Sequence, residues 1–475
     1  MSFSESLAEY VKSIRCGELS EQILENATDS IIDGFGVMCA GTSEPVSRVM
    51  KEYLSEFGGD PMATVFGKSS FKSDIVSAAL ANSTAAHVCD YDDMSIVLNG
   101  HPTAILLPAL LAVGEYENRS GSELMEAYVA GANVLHIFGT GLQKSAYSFG
   151  WNRTSVFGTI AVAAACAKLM GLETRDICNA IGIAVGESSG TKGNYGFMAK
   201  DVTVGRCSAA GVFSALMAKK GVVSNPEIFE GNFGFFTVAC PDIDVAGMLE
   251  DIKTGASDFT EPSMVIKPYP TCRGNHNAID AISYFCDEYR LAAEDVAEIR
   301  CEMKSAAYNY DNYHVPANTT EGKFSAAYCM ALVLLNGRIR MCDFRSEAPV
   351  DARTLPIIDK VSVKLNPDRT GSQYWTRVEA ICRDGTVLSY IGETAKGDPK
   401  NPMTCQERFD KFCDCVSDLM PRSGAMHIYK TLQQITSVRS LRDFTEDILN
   451  CCEALRPNIG RLCRDETCCF SHRDP

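Results

Sequence analysis

At 475 residues, 46% of them hydrophobic, the chain can bury a large core, falls outside the disordered class and is long enough for two or three domains. Its formal charge of −16, from 60 acidic against 44 basic residues, argues against a nucleic-acid partner held through its phosphates. The start, Met1 to Glu5, has no basic segment ahead of an apolar run and the apolar stretches at 104–114 and 159–166 are too short to span a bilayer, so no signal peptide and no membrane partner are expected, and the compartment expected is the cytoplasm.

Helical patterns come first along the chain. Ile23, Ala27, Ile31 and Phe35 recur every four residues as one apolar stripe, and helices are predicted over 73–88, 102–116, 122–142, 155–170, 174–185 and 204–220. The run from Gly158 to Ala167 is almost all small residues, which lets neighbouring helices approach closely. After Lys267 the texture changes. Residues 296–303 and 360–365 alternate like half-buried strands, 377–391 reads as strand, Arg383-Asp384-Gly385 turn and strand, and helical runs at 275–289 and 321–335 lie among them. Helical patterns return at 405–419 and continue to about 455. The expected architecture is mainly α with an α+β domain: a helical domain over 1–262, an α+β domain over 268–398 with antiparallel strands, and helices over 403–458 that pack back on the first domain.

Four stretches could carry chemistry. In the first, His87-Val-Cys-Asp90-Tyr-Asp-Asp93 precedes Gly100-His101-Pro102. Three carboxyls within four residues repel and need cations, protons or helix-end dipoles, unless the cluster is simply a solvated helix end. His101 sits just before a proline suited to the first helical position, beside free N–H groups that favour a carboxylate. The second, Gly186 to Lys200 and on to Arg206, is rich in glycine but lacks phosphate-loop spacing, so its lysine and arginine are read as anion holders at a helix mouth. The third, Lys267-Pro-Tyr-Pro-Thr-Cys272-Arg273-Gly-Asn-His276, gathers five reactive residue types at the junction of the two textures, where ligand sites are common. Cys272 beside Arg273 admits a low-pKa nucleophile as an alternative. The fourth, Tyr308 to His314, holds three tyrosines, each suited to proton donation or to plain loop hydrogen bonding. The 21 cysteines sit mostly in apolar settings as small hydrophobes, and the C-terminal group Cys451, Cys452, Cys463, Cys468, Cys469 and His472 lacks a C-x-x-C pair, so no metal is expected there.

Taken together the sequence resembles the MmgE/PrpD family, which includes 2-methylcitrate dehydratases, cis-aconitate decarboxylases and an iminodisuccinate epimerase. The resemblance is carried by Asp90-Tyr-Asp-Asp93 with His101-Pro102, Gly150 to Gly158, Lys200 with Gly205-Arg206, Phe229 to Phe236, Lys267 to Cys272 with His276, Lys323-Phe-Ser325, and Gly397 to Pro402, in order along nearly the whole chain. It implies a helical domain built from both chain ends, a smaller α+β lid, a homodimer, and catalysis without a metal or organic cofactor. It places Asp90, His101, Lys200, Lys267 and Tyr310 at active-site positions, with Tyr308 and Tyr313 as alternatives to Tyr310. Arg206, Cys272, Arg273, His276 and Asn152 are expected to bind substrate. Met94, Asn152 and Cys272 depart from the decarboxylase pattern.

The chemistry expected is proton abstraction next to a carboxylate of a small polycarboxylate. Lys200 and Lys267 would stabilise the enolate-like charge, and His101, positioned by Asp90, would act as base or acid. A 2-methylcitrate-type dehydration is expected first, an iminodisuccinate-type epimerisation or a cis-aconitate decarboxylation as alternatives, and a non-catalytic carboxylate-binding relative as a reading from another class.

Overall fold

The computed structural model describes residues 1–143, 150–260, 262–309, 313–344 and 349–453. The chain is mainly α with an α+β part. Helices Ile75–Val88, Pro102–Glu117, Gly121–Gly141, Arg153–Leu169 and Ala199–Lys219 form the interior of the larger body. All but the first residue of Arg153–Leu169 are buried, so this helix is apolar on every face. Its small residues admit neighbours at close range: a Cβ on Gly158 would stand 2.3 Å from Ile105 Cδ1; on helix Ala199–Lys219, a Cβ on Gly205 would stand 2.6 Å from the Leu80 carbonyl oxygen. Ser120 caps Gly121–Gly141 through a capping box with Glu123, and Pro102 opens its helix at the first turn.

The C-terminal helices Cys405–Val416, Arg422–Gln433 and Leu441–Glu453 share this core. Phe412 stacks on Phe35 with ring centroids 6.4 Å apart, and Leu441 fills the space beside Gly114.

A second core belongs to the α+β part, where helices His276–Tyr289 and Ala326–Asn336 pack on a sheet. Numbering the strands along the chain, β1 (Ala63–Val65) pairs with β2 (Phe71–Ser73), and β3 (Met94–Ser95) pairs with β4 (Met264–Val265). The sheet itself runs in the order β6 (Val361–Leu365), β5 (Val296–Met303), β7 (Thr376–Cys382), β8 (Val387–Gly392). The expectation of purely antiparallel strands is corrected: β6 runs parallel to β5, because helix Ala326–Asn336 and the segment after it carry the chain back across the sheet. The run expected over 321–335 is two helices, Thr319–Gly322 and Ala326–Asn336, separated where Ser325 caps the second.

One short pairing positions the site. Met94 lies opposite Val265 in the β3–β4 ladder, which draws the segment entering the α+β part onto the turn after helix Ile75–Val88. Among the described residues, no helix is long and apolar enough to cross a membrane.

Candidate active site

Helix Ile75–Val88 ends at Cys89, and the chain turns through Asp90 at φ 52°, a left-handed conformation that Asp tolerates better than most residues. Lys267, two residues past β4, fixes this turn by donating to the Asp90 carbonyl at 2.9 Å and to Oδ1 at 3.1 Å. The Lys267 side chain is 2% exposed. Lys411 in turn donates to the Lys267 carbonyl at 2.8 Å and to that of Tyr91 at 3.0 Å, tying a C-terminal helix to the same corner.

Asp90, Asp92 and Asp93 are all buried, so the cluster is not a solvated helix end. Each carboxyl meets a different environment. Burial would raise Asp90, but Lys267 and then Lys200, 3.9 Å away, hold it well below the usual carboxylate range. Asp92 is also buried and also held low, by His101 and His87, whose Nδ1 atoms stand 3.3 Å and 2.8 Å from its Oδ2. Asp93 is pushed well above the usual range by burial and by the charges of Asp33 and Asp92, against hydrogen bonds from Thr103. Three carboxyls within four residues thus meet opposite influences, two held low by their neighbours and one pushed up by burial.

His101 precedes Pro102 at the helix start, with its own N–H donating to Thr154 Oγ1 at 3.0 Å. Its Nδ1 lies 2.7 Å from the Asp93 carbonyl oxygen. A carbonyl only accepts, so Nδ1 carries the proton and, in the neutral ring, Nε2 keeps its lone pair. Burial, aided by Lys267 and His87, lowers the His101 pKa to about 4 against the opposing Asp92 charge. The ring is therefore neutral at pH 7. His87 stands beside it with ring centroids 4.9 Å apart, both imidazoles leaning on one carboxylate.

Lys200 lies in the first turn of Ala199–Lys219, which begins five residues before the helix expected from residue 204. Burial opposes its charge, but Asp201 at 3.6 Å and Asp90 raise its pKa above the usual lysine value. Asp90, His101, Lys200, Lys267, Cys272 and Arg273 line a single cavity of about 70 Å³. A far larger cleft of about 790 Å³ lies beside Tyr91, Pro268 and Lys411, but it collects solvent-facing charges rather than these converging groups.

Arg273 enters the cavity partly engaged. It is 6% exposed, reaches Asp398 Oδ2 through Nη2 at 2.5 Å and lies over the Tyr374 ring, while Nε and Nη1 have no hydrogen-bond partner among the described residues. The Cys272 thiol is pushed up to about 12 by burial and then by Asp90, which opposes the nucleophilic alternative.

Three expected substrate binders do not line this cavity. Asn152 is buried at the start of Arg153–Leu169, its N–H donating to the Gly190 carbonyl. Arg206 is exposed, since six positions after Lys200 lie about 240° round the helix at about 100° per residue. His276 is fully buried, edge-on to Tyr269, with Nε2 3.3 Å from the Thr271 carbonyl. Tyr310 lies outside the described residues, and neither Tyr308 nor Tyr313 lines the cavity; Tyr195 and Tyr374 do. His87, Tyr195 and Tyr374 are among the lining residues that the sequence does not single out. His87 carried a signal in its spacing to Asp90 within one motif, whereas Tyr374 had none.

Among the described residues, two groups could offer three ligand atoms to a metal, His87 with Asp92 and His101, and His427 with Asp447 and Cys451. In the first, the Nδ1 contacts are those of hydrogen bonds, which a cation would displace. Of the C-terminal cysteine group, only Cys451 and Cys452 fall within the described residues.

Residues 5–246 match the family model of the MmgE/PrpD N-terminal domain, and residues 269–434 match that of the MmgE/PrpD C-terminal domain. The chain belongs to the MmgE/PrpD family. The gap between the two matches contains the β4 pairing that carries Lys267 to Asp90. Similar MmgE/PrpD proteins include the cis-aconitate decarboxylase of Homo sapiens, 23% identical over 91% of this chain and 92% of its own length. That of Mus musculus is 24% identical over 98% and 95%, and that of Aspergillus terreus 23% over 93% and 91%. The MmgE/PrpD relatives are therefore of lyase type and are matched almost end to end.

Proposed function

We propose that this chain is a lyase that acts on a small polycarboxylate by moving a proton at the carbon next to a carboxylate. The observation that carries the reading is the neutral His101 ring, with Nδ1–H turned to the Asp93 carbonyl, in a cavity also lined by Lys200 and Lys267. Nε2 takes the proton as base, and the enolate-like charge develops beside the two ammonium groups. Asp92, in the place expected for Asp90, orients the imidazole and stabilises the imidazolium formed, while Asp90 pairs with Lys267. Arg273 holds a carboxylate through the nitrogen atoms that lack protein partners. For a 2-methylcitrate-type substrate the C–H and the C–O bond to the β-hydroxyl break and a C=C bond forms. His101 returns its proton to the leaving hydroxyl, so water departs and the enzyme is unchanged.

Decarboxylation is the second reading, favoured by the names of the relatives. Dehydration is placed first because Met94 and Cys272, two departures from the decarboxylase pattern, line the reacting cavity. The test offers purified protein 2-methylcitrate, cis-aconitate and iminodisuccinate while alkene absorbance, CO₂ and chirality are followed. Turnover of the first or second, lost in His101→Ala with an unchanged unfolding midpoint, supports the reading. Turnover that survives His101→Ala contradicts the role of the imidazole.

A further inference from the structure

A second chamber adjoins the first. Its volume is about 90 Å³, and it shares Asp90, Lys200 and Phe324 with the cavity around His101. Away from that shared wall it is lined by apolar groups, among them Val46, Val88, Phe197 and Met198, and by Thr320, Lys323 and Asp201, whose carboxyl feels the Lys323 charge. Val46 and Lys323 are 4% and 3% exposed. The Lys323 ammonium has three donors, yet among the described residues it makes one hydrogen bond, to the Val88 carbonyl at 3.2 Å, and no ion pair with a carboxylate. Asp90 and Asp201 also border the chamber, but the lysine lying closest to each is Lys267 at 3.1 Å and Lys200 at 3.6 Å, respectively.

A purely structural role, in which Lys323 caps the last carbonyls of Ile75–Val88, accounts for one donor and for a favourable helix-end charge. It leaves two donors of a buried cation unused, a costly arrangement unless something else pairs with them. A carboxylate reaching this chamber through the shared wall would pass apolar side chains before meeting that ammonium.

We infer that the chamber is a second substrate subsite, built for an apolar arm that ends in a carboxylate, with Lys323 as its anion partner. The inference rests on the polycarboxylate reading of the first cavity and adds to it a preference for a longer carboxylate arm over that of the smallest tricarboxylates.

Binding of the full-length protein to a graded series separates the two. Tricarballylate, butane-1,2,4-tricarboxylate and hexane-1,2,6-tricarboxylate keep one succinate head and lengthen the carboxylate arm, while 2-butylsuccinate has the arm without its charge. By calorimetry, affinity is expected to rise about tenfold or more from tricarballylate to a longer member, as for one charge-assisted contact, with no such gain for 2-butylsuccinate. Lys323→Met should abolish the gain and leave tricarballylate binding intact. Met198→Trp, at a half-exposed position that does not threaten folding, should narrow the chamber and abolish it as well. An equal gain for 2-butylsuccinate, a gain that survives both variants, or no gain with arm length overturns the subsite while leaving the first cavity's reading in place. Binding of no member at all overturns both.

Discussion

Removing Lys267 should cost folding stability through a charge left behind. In Lys267→Met the Asp90 carboxylate stays buried with Lys200 3.9 Å away as its remaining cation, and the backbone carbonyl of the left-handed turn loses its donor. Breaking a buried pair from one side costs about 3–5 kcal/mol, and the surviving lysine places the cost toward the lower end. For 475 residues, unfolding entropy of about 2.1 cal/mol/K per residue gives about 1 kcal/mol per degree, so the midpoint should fall by about 3–4 °C in differential scanning calorimetry. Adding Asp90→Asn removes the orphaned charge and should recover most of the loss, giving a coupling of a few kcal/mol in the double-mutant cycle. Activity should be absent from both variants. Because Asp90 is held low in the folded protein, its contribution is present above the unfolded carboxylate value and lost as pH falls through the folded one, so wild type and Lys267→Met should converge in acid. A single variant within about 1 °C of wild type, or a double variant showing the sum of the separate losses, would refute this account of the corner.

Other consequences are open to simpler measurements. With the His101 pKa at about 4, the acid limb of kcat/KM should fall near pH 4 and the profile should stay flat up to neutrality; an acid limb near 6.5 would mean the imidazole is not held neutral by burial. The same shift makes stability decline as pH drops from about 6.5, where the unfolded imidazole protonates, to about 4, and His101→Gln should lessen that slope in denaturant titrations. Cys272 should resist iodoacetamide at pH 7.5 while the exposed Cys342 and Cys405 react, and Cys272→Ser should keep activity within about tenfold; rapid labelling of Cys272 with loss of turnover would restore the nucleophile reading.

Much of the helical body could be read from the sequence because its signal is local. The runs expected over 73–88, 102–116 and 122–142 correspond to Ile75–Val88, Pro102–Glu117 and Gly121–Gly141, bounded by Asp74, Pro102 and Ser120 at their starts. Strand β5 is equally plain, since its burial alternates from Ile299 to Met303 after a register shift near its start. The two-residue pairing of Met94–Ser95 with Met264–Val265 has no period to detect, yet it brings Lys267 to Asp90. That Arg206 lies away from the cavity is not legible for a related reason: Phe197 to Ala199 gives no clear helix start in the sequence, and without that start the face carrying Lys200 is not separable from the one carrying Arg206. Asn152 and His276 are polar residues at helix starts that turn inward for packing, and spacing alone does not distinguish that from ligand binding. Tyr374 reaches the cavity from the segment just ahead of the interior strand β7, a contact created by tertiary structure alone.

The central claim, proton transfer next to a carboxylate by His101, is tested most directly in D₂O. The purified protein is incubated with 2-methylcitrate and with cis-aconitate, and ¹H NMR follows both product formation and deuterium entering the carbon next to a carboxylate. At least one substrate should be converted or exchanged at that carbon, and His101→Gln should stop this while the folded spectrum persists. No conversion and no exchange with either substrate, or exchange at an undiminished rate in His101→Gln, would contradict it.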